Sequence, residues 1–356
     1  MSETLMRARL PALPPQPAGV PWPTRAWPEG EAPQGLAKTR FSALLDEAFA
    51  AKSTPRLGET HALLIVQGGK IVHEQYGEGF GPDQTYPSWS KAKSITHALV
   101  GIATGDGKID AMAPADVPEW QGPGDPRRAI TLDQLLRMSS GLQWLEEYLP
   151  DQPSDVIAML FGEGQADVAG FAAGFPLAHE PGGYWYYSSG TTNIVARALG
   201  RAIGKQGAEF EAFMRERLFE PIGMGSPIPK FDAAGTFIGS SFCFATARDF
   251  ARFGLLYLRD GVWDGRRILP PGWVDYARTP TWQQDDPSID SRYGAHWWLD
   301  LGGPGSFSAN GYDGQYTLCV PDLDMVLVRH GATPLGLKDE LRAWVGEVVG
   351  CFREVQ

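Results

Sequence analysis

Apolar residues recur at two different spacings along the chain, and the changes between them lay out the elements. In "ALLIVQGGKIVHEQYG" (62–77) two β-rich runs flank Gly68-Gly69, a pair that accepts positive φ, which predicts a hairpin with a two-residue turn. "SKAKSITHALVGIATGDGKI" follows, with Ile95, Leu99 and Ile102 at helical spacing and Gly105 to Gly107 as the stop. Helical pieces dominate from there to about Ala234. "TLDQLLRM" can be capped by Thr131, "TTNIVARALGRAIG" by Thr192 or Asn193, and "GAEFEAFMRERLF" carries another apolar stripe. "ATARDFARFGLLYL" is a further helix, with Thr246 or its neighbour as a cap.

Strands return near the C-terminus. "GQYTLCV" and "MVLVRHG" are β-branched runs separated by the turn tetrad "PDLD". The last segment, "LKDELRAWVGEVVGCF", places Leu337, Leu341, Trp344, Val345 and Val348 on one helical face. Strands at both ends with helices between them predict an antiparallel sheet flanked by helices, with a mostly helical insertion. That is an α+β fold. The expected division is a Pro-rich arm over 1–37, a sheet domain from 38–103 and 240–356, and a helical insertion over 104–239. The arm is expected to lie extended on the surface or to be disordered.

Composition narrows the function classes. The 356 residues suffice for a substantial core, and the net charge of −11, without a long Lys or Arg run, disfavours a nucleic-acid binder. Three cysteines, far apart and odd in number, argue against a disulfide framework or a Cys-rich zinc site. The six histidines form no HExxH pair, so no metal is expected. The opening lacks the apolar run of a signal peptide, and no window is apolar enough to span a bilayer, so a soluble cytoplasmic protein is expected. Oligomeric state is not legible, because a surface patch and a core face look alike in sequence.

The candidate chemistry starts at "PSWSKAKSIT" (87–96), which holds Ser-x-x-Lys twice: Ser88 with Lys91, and Ser90 with Lys93. Residues three apart share a helix face, and a buried, neutral lysine one turn beyond a serine can take its proton. At ~100° per residue, Ser88 and Lys91 fall near the face of Ile95, Leu99 and Ile102. Ser90 and Lys93 fall opposite, with His97, Gly101 and Thr104. The first face could bury a lysine and the second could line a cleft. Local reasoning leaves the register open.

Five ordered blocks add to this: "WSKAKSITHALVGIATGDGKI", "TLDQLLRMSSGLQW", "HEPGGYWYYSSGTTNIVARALG", the long segment from "GTFIGSSFCF" to "ILPPGWV", and "GYDGQYTLCVPDLDMVLVRHG". Together, and over nearly all the chain after about residue 35, they resemble the serine β-lactamase-like hydrolases. The branch resembled holds class C β-lactamases, certain esterases and 6-aminohexanoate-dimer hydrolases. The resemblance implies that Ser90 is the nucleophile and Lys93 its base, with Ser88 a helix-opening residue. It places Tyr187, Ser188 and Ser189 on the second motif, Tyr187 moving a proton to the leaving group. It places Tyr312, Asp313 and Gly314 on a third motif, which lies on a strand and carries a cation in members acting on β-lactams or D-peptides. Here that cation is absent and a carboxylate stands beside its place.

An uncompensated Asp313 would repel an anionic substrate, so neutral or cationic esters and amides are expected, with poor β-lactamase or DD-peptidase activity. The implied oxyanion hole is the backbone N–H of Ser90 and that of Gln315. Tyr148 resembles a tyrosine that closes over substrate in the amide-oligomer hydrolases. The expected enzyme is a cofactor-free serine hydrolase of small-molecule esters or amides, working through an acyl-enzyme. Aromatic residues near Trp144, Tyr148, Tyr184 to Tyr187 and Trp297-Trp298 suggest an apolar acyl or leaving group. Against a Ser-His-Asp α/β-hydrolase stands the lack of a Gly-x-Ser-x-Gly elbow. A binding protein that has lost its chemistry remains an alternative, as does a cell-wall-directed peptidase, although the latter would need export.

Overall fold

Gly68 and Gly69 turn at φ 56° and 74° and join strands Glu59–Gln67 and Lys70–Tyr76, the expected hairpin. In the computed structural model, which describes residues 10–149, 152–281 and 293–353, this hairpin forms one edge of a six-stranded sheet. From that edge the order is Lys70–Tyr76, Glu59–Gln67, Met325–Ala332, Gln315–Val320, Phe307–Gly311 and Trp298–Leu299, every neighbour antiparallel. The two ends of the chain therefore meet in mid-sheet, with Leu64 opposite Val328.

These strands are apolar on both sides because both faces are covered. Leu63, Ile65, Leu318 and Leu327 pack under the helices Lys38–Phe49 and Lys338–Arg353, against Phe41, Leu44, Trp344, Val345 and Val348. Leu337, expected on that helical stripe, lies in the turn before the helix. On the other face Leu64, Val66, Val326 and Val328 meet the helices Ala247–Leu258 and Lys91–Gly105, with further helical segments beyond. The architecture is α+β, as expected. Among the described residues no helix is long and apolar enough to cross a membrane.

Caps follow the sequence at two of three places. Thr131 makes a full capping box with Gln134, and Thr246 accepts from the Asp249 amide. The helix expected to start at Thr192 or Asn193 instead spans Ser189–Ile203, capped by Ser188, whose hydroxyl accepts from the Thr191 amide at 3.1 Å. Ser189 to Asn193 are buried, so tertiary packing extends the helix one turn before its apolar pattern begins. The helix Lys91–Gly105 departs further from expectation. Every residue from Lys91 to Ala103 is buried, so it has no solvent face, and periodicity had nothing to distinguish.

Residues 1–9 of the Pro-rich arm lie outside the described residues. From residue 10 the arm is tied to the body: Arg278, Arg252 and Arg259 donate to the carbonyls of Pro11, Pro23 and Pro14 at 2.7, 2.7 and 3.2 Å.

Candidate active site

The chain enters the central helix through Ser88-Trp89-Ser90. Trp89 has φ 43°, a left-handed conformation that costs a bulky residue on the order of 1–3 kcal/mol and persists only where neighbours enforce it. The neighbours are identifiable. Its ring packs on Phe242 and Tyr312, with centroids 5.7 and 5.9 Å away. The end of strand Phe307–Gly311 presses on the same turn, so closely that a Cβ on Gly311 would stand 2.3 Å from the Ser88 carbonyl oxygen. Ser90 emerges from this turn at the helix N-terminus and lines a cleft of about 550 Å³.

Beneath it lies Lys93, 1% exposed. Its Nζ is 3.0 Å from Ser90 Oγ, 2.9 Å from Ser189 Oγ and 3.0 Å from the Ser240 carbonyl oxygen. Burial pushes this amine down to about 8, partly offset by the Glu146 carboxylate. Roughly a tenth of the amine is therefore neutral at pH 7, and a neutral amine is what a base for Ser90 needs.

The other pair is built differently. Ser88 is 0% exposed; its hydroxyl donates to the Ser241 carbonyl at 3.0 Å and accepts from the Cys243 amide at 2.9 Å. Lys91 points to the sheet, 3.3 Å over the Phe250 ring and 3.4 Å from His330 Nε2. Ser88 fastens the turn, and only Ser90 reaches the cleft.

Tyr187 also lines the cleft, with the Lys93 Nζ 4.8 Å from its ring centroid. Its hydroxyl interacts with the Ser90 and Trp298 side chains, and burial followed by the Glu146 charge raises its pKa far above the ordinary phenol. Both effects hold Tyr187 in its protonated, phenol form. Tyr148 lines the same cleft, 5.1 Å ring to ring from Tyr312, and its hydroxyl donates to Glu146 Oε1 at 2.6 Å.

Two expectations at the third motif need correction. Tyr312, Asp313 and Gly314 line the cleft but do not lie on a strand; they form the tight turn between strands Phe307–Gly311 and Gln315–Val320. Asp313 sits there at φ 59°, one of the few residues besides glycine to do so. The strand beside Ser90 ends three residues earlier, in Ala309-Asn310-Gly311, and it too carries no cation. The shift also displaces Gln315. It is 1% exposed, pairs with Gly311 across the ladder, and gives its side chain to the Gly331 carbonyl and to His330 Nδ1. It is not among the residues that line the cleft, whereas Tyr312 is.

Asp313 is also not an uncompensated charge. Burial raises its pKa, but the Arg329 guanidinium opposes this, and Lys338 and Arg342 line the same cleft. Arg329 is fully buried and braces the turn by donating to the Asp313 and Gly314 carbonyls, both at 3.0 Å.

The group that carried no signal in the sequence is Glu146. It lies on the cleft wall and reaches Ser189, 43 residues away, through that residue's amide at 2.8 Å and hydroxyl at 2.5 Å. Only the folded chain brings it there. A second cavity, of about 400 Å³, holds Arg197, Arg201 and Glu209 but no serine–lysine pair.

Comparison with known proteins identifies the chain that carries this serine–lysine pair with the beta-lactamase family. The family model matches residues 50–345, and the chain belongs to that family. The resemblance seen in the five sequence blocks is thereby shown. The chain is similar to a 6-aminohexanoate-dimer hydrolase of Paenarthrobacter ureafaciens, 26% identical over 315 residues, covering 83% of this chain and 78% of the relative. A Bacillus anthracis protein provisionally assigned as a 6-aminohexanoate-dimer hydrolase has a TM-score of 0.73 at 22% identity, over 94% of this chain and 89% of that one. A family VIII carboxylesterase has a TM-score of 0.65 at 15% identity, over 90% of this chain and 99% of that one. The two structures share the fold with this chain.

Proposed function

We propose that the chain is a serine hydrolase that cleaves small esters or amides through an acyl-enzyme on Ser90. The observation that carries this reading is the Lys93 Nζ, 3.0 Å from Ser90 Oγ on a buried amine whose pKa is pushed down to about 8. Neutral Lys93 takes the Ser90 proton as Oγ bonds to the substrate carbonyl carbon. The oxyanion then receives the N–H of Ser90 at the helix N-terminus and that of Tyr312 at the strand end, the residue on the cleft wall where Gln315 is not. The phenol of Tyr187 protonates the leaving oxygen or nitrogen as its bond to carbon breaks, and recovers a proton from Lys93. Water repeats the steps in reverse order of roles and releases the acid.

Two relatives named for 6-aminohexanoate-dimer hydrolysis and one named as a carboxylesterase support linear amides and esters as the substrate class. So do the aromatic walls at Tyr148, Tyr187, Trp298 and Tyr312. The test is a panel of p-nitrophenyl esters and short linear amides with wild type, Ser90→Ala and Lys93→Met. Turnover of at least one class, lost in both variants, is expected. Turnover retained in Ser90→Ala would refute the assignment.

A further inference from the structure

Glu146 takes no direct part in that reaction, and its hydrogen bonds reach Lys93 through Ser189. Its Oε2 accepts from the Ser189 amide at 2.8 Å and from the Trp144 indole at 2.6 Å. Its Oε1 accepts from the Tyr148 hydroxyl at 2.6 Å. A carboxylate can only accept, so the Ser189 hydroxyl, 2.5 Å from Oε1, donates its single proton there. Towards Lys93, 2.9 Å away, Ser189 Oγ is then an acceptor only. The Ser240 carbonyl, 3.0 Å from the same nitrogen, is an acceptor as well.

A neutral lysine has two N–H bonds and one lone pair. Both N–H bonds are claimed, by Ser189 and Ser240. The lone pair is left the third direction, Ser90 Oγ at 3.0 Å. Without the carboxylate, the Ser189 hydroxyl is free to turn its proton to the Lys93 nitrogen and occupy that lone pair. We propose that Glu146 is a positioning residue: by holding the Ser189 hydroxyl as a donor to itself, it makes the Lys93 amine present its lone pair to Ser90. This rests on the Ser90–Lys93 assignment above. The same carboxylate holds Tyr148 on the cleft wall, so one group sets both the base and part of that wall.

The charge has a second consequence, readable in solution. Glu146 favours the ammonium form of Lys93 against the effect of burial. Tyr187 and His296 also face Lys93, and burial holds both neutral, the phenol by raising it and the imidazole by pushing it down to about 3. Removing the carboxylate therefore moves the Lys93 titration to lower pH.

The experiment is the rate of adduct formation with an alkyl fluorophosphonate from pH 6 to 10, for wild type, Glu146→Gln, Ser189→Ala and Ser90→Ala. Glu146→Gln is expected to lower the plateau rate about tenfold or more and to shift the midpoint to lower pH. Ser189→Ala, which removes the linking hydroxyl, is expected to lower the plateau similarly, and decides the matter if Glu146→Gln is not folded by circular dichroism. A lowered plateau with an unmoved midpoint in folded Glu146→Gln, or wild-type kinetics in either variant, would overturn the proposal. Absence of adduct in wild type, or its persistence in Ser90→Ala, would instead overturn the Ser90 assignment beneath it.

Discussion

Gly311→Ala tests the packing that holds Ser90 in place. At φ −126° the backbone of Gly311 suits any residue in a strand, so the substitution adds no backbone strain and acts only through its methyl group. That methyl would stand 2.3 Å from the Ser88 carbonyl oxygen and 3.1 Å from Trp89 Cβ, where ordinary contact begins near 3.4 Å. The strand end and the turn must separate by about 1 Å, and Ser88 is two residues from Ser90, the proposed nucleophile. A displacement of that size at a reacting atom costs on the order of 10²-fold in rate, and overpacking costs about 1–3 kcal/mol of stability. The control is Gly346→Ala, in the helix Lys338–Arg353, where an added methyl meets nothing within 4 Å. The control should be neutral or slightly stabilising. The assay is kcat/KM on the best ester of the panel, together with Tm for both variants. Gly311→Ala with wild-type kcat/KM would refute the claim that this contact positions Ser90.

Three further outcomes follow from the site. With Lys93 near 8, the neutral fraction, and with it kcat/KM, should rise about tenfold from pH 7 to pH 9; an unshifted amine would give about a hundredfold rise and a spectator lysine none. Tyr148→Phe removes the donor to Glu146 while keeping the ring against Tyr312, so KM should change less than twofold to threefold while kcat falls several-fold; unchanged kinetics would make Tyr148 a spectator. A penicillin should be turned over at least ~10²-fold less efficiently than the best ester, because the strand end beside Ser90, Ala309-Asn310-Gly311, offers no cation and the cleft cations Lys338 and Arg342 lie on the helix Lys338–Arg353 instead; comparable kcat/KM would refute this.

The sequence carried those features whose cause is local. Gly68-Gly69, the Thr131 and Thr246 caps and the apolar stripe of the last helix depend on neighbours within a few residues, and each was legible. The order of the family blocks points to Ser90 where periodicity cannot choose, because the central helix is buried on all sides. The third motif slipped by three residues because "NGYDGQY" holds two glycines, and only the fold shows that Gly311, not Gly314, meets the Ser88 carbonyl. Gly314 instead faces Leu341 and Arg329. Glu146 and Arg329 were invisible for one reason. Each acts on partners far along the chain, Ser189 for Glu146 and Asp313, Gly314 and Glu59 for Arg329. A carboxylate or guanidinium in sequence is ordinarily a solvated surface group.

The central claim is that Ser90, not Ser88, is a nucleophile poised over Lys93. Intact mass of the protein after treatment with an alkyl fluorophosphonate tests it directly, for wild type, Ser90→Ala and Ser88→Ala. A single adduct present in wild type and Ser88→Ala and absent in Ser90→Ala is the expected result. An adduct that survives Ser90→Ala, or that is lost only in Ser88→Ala, would contradict it.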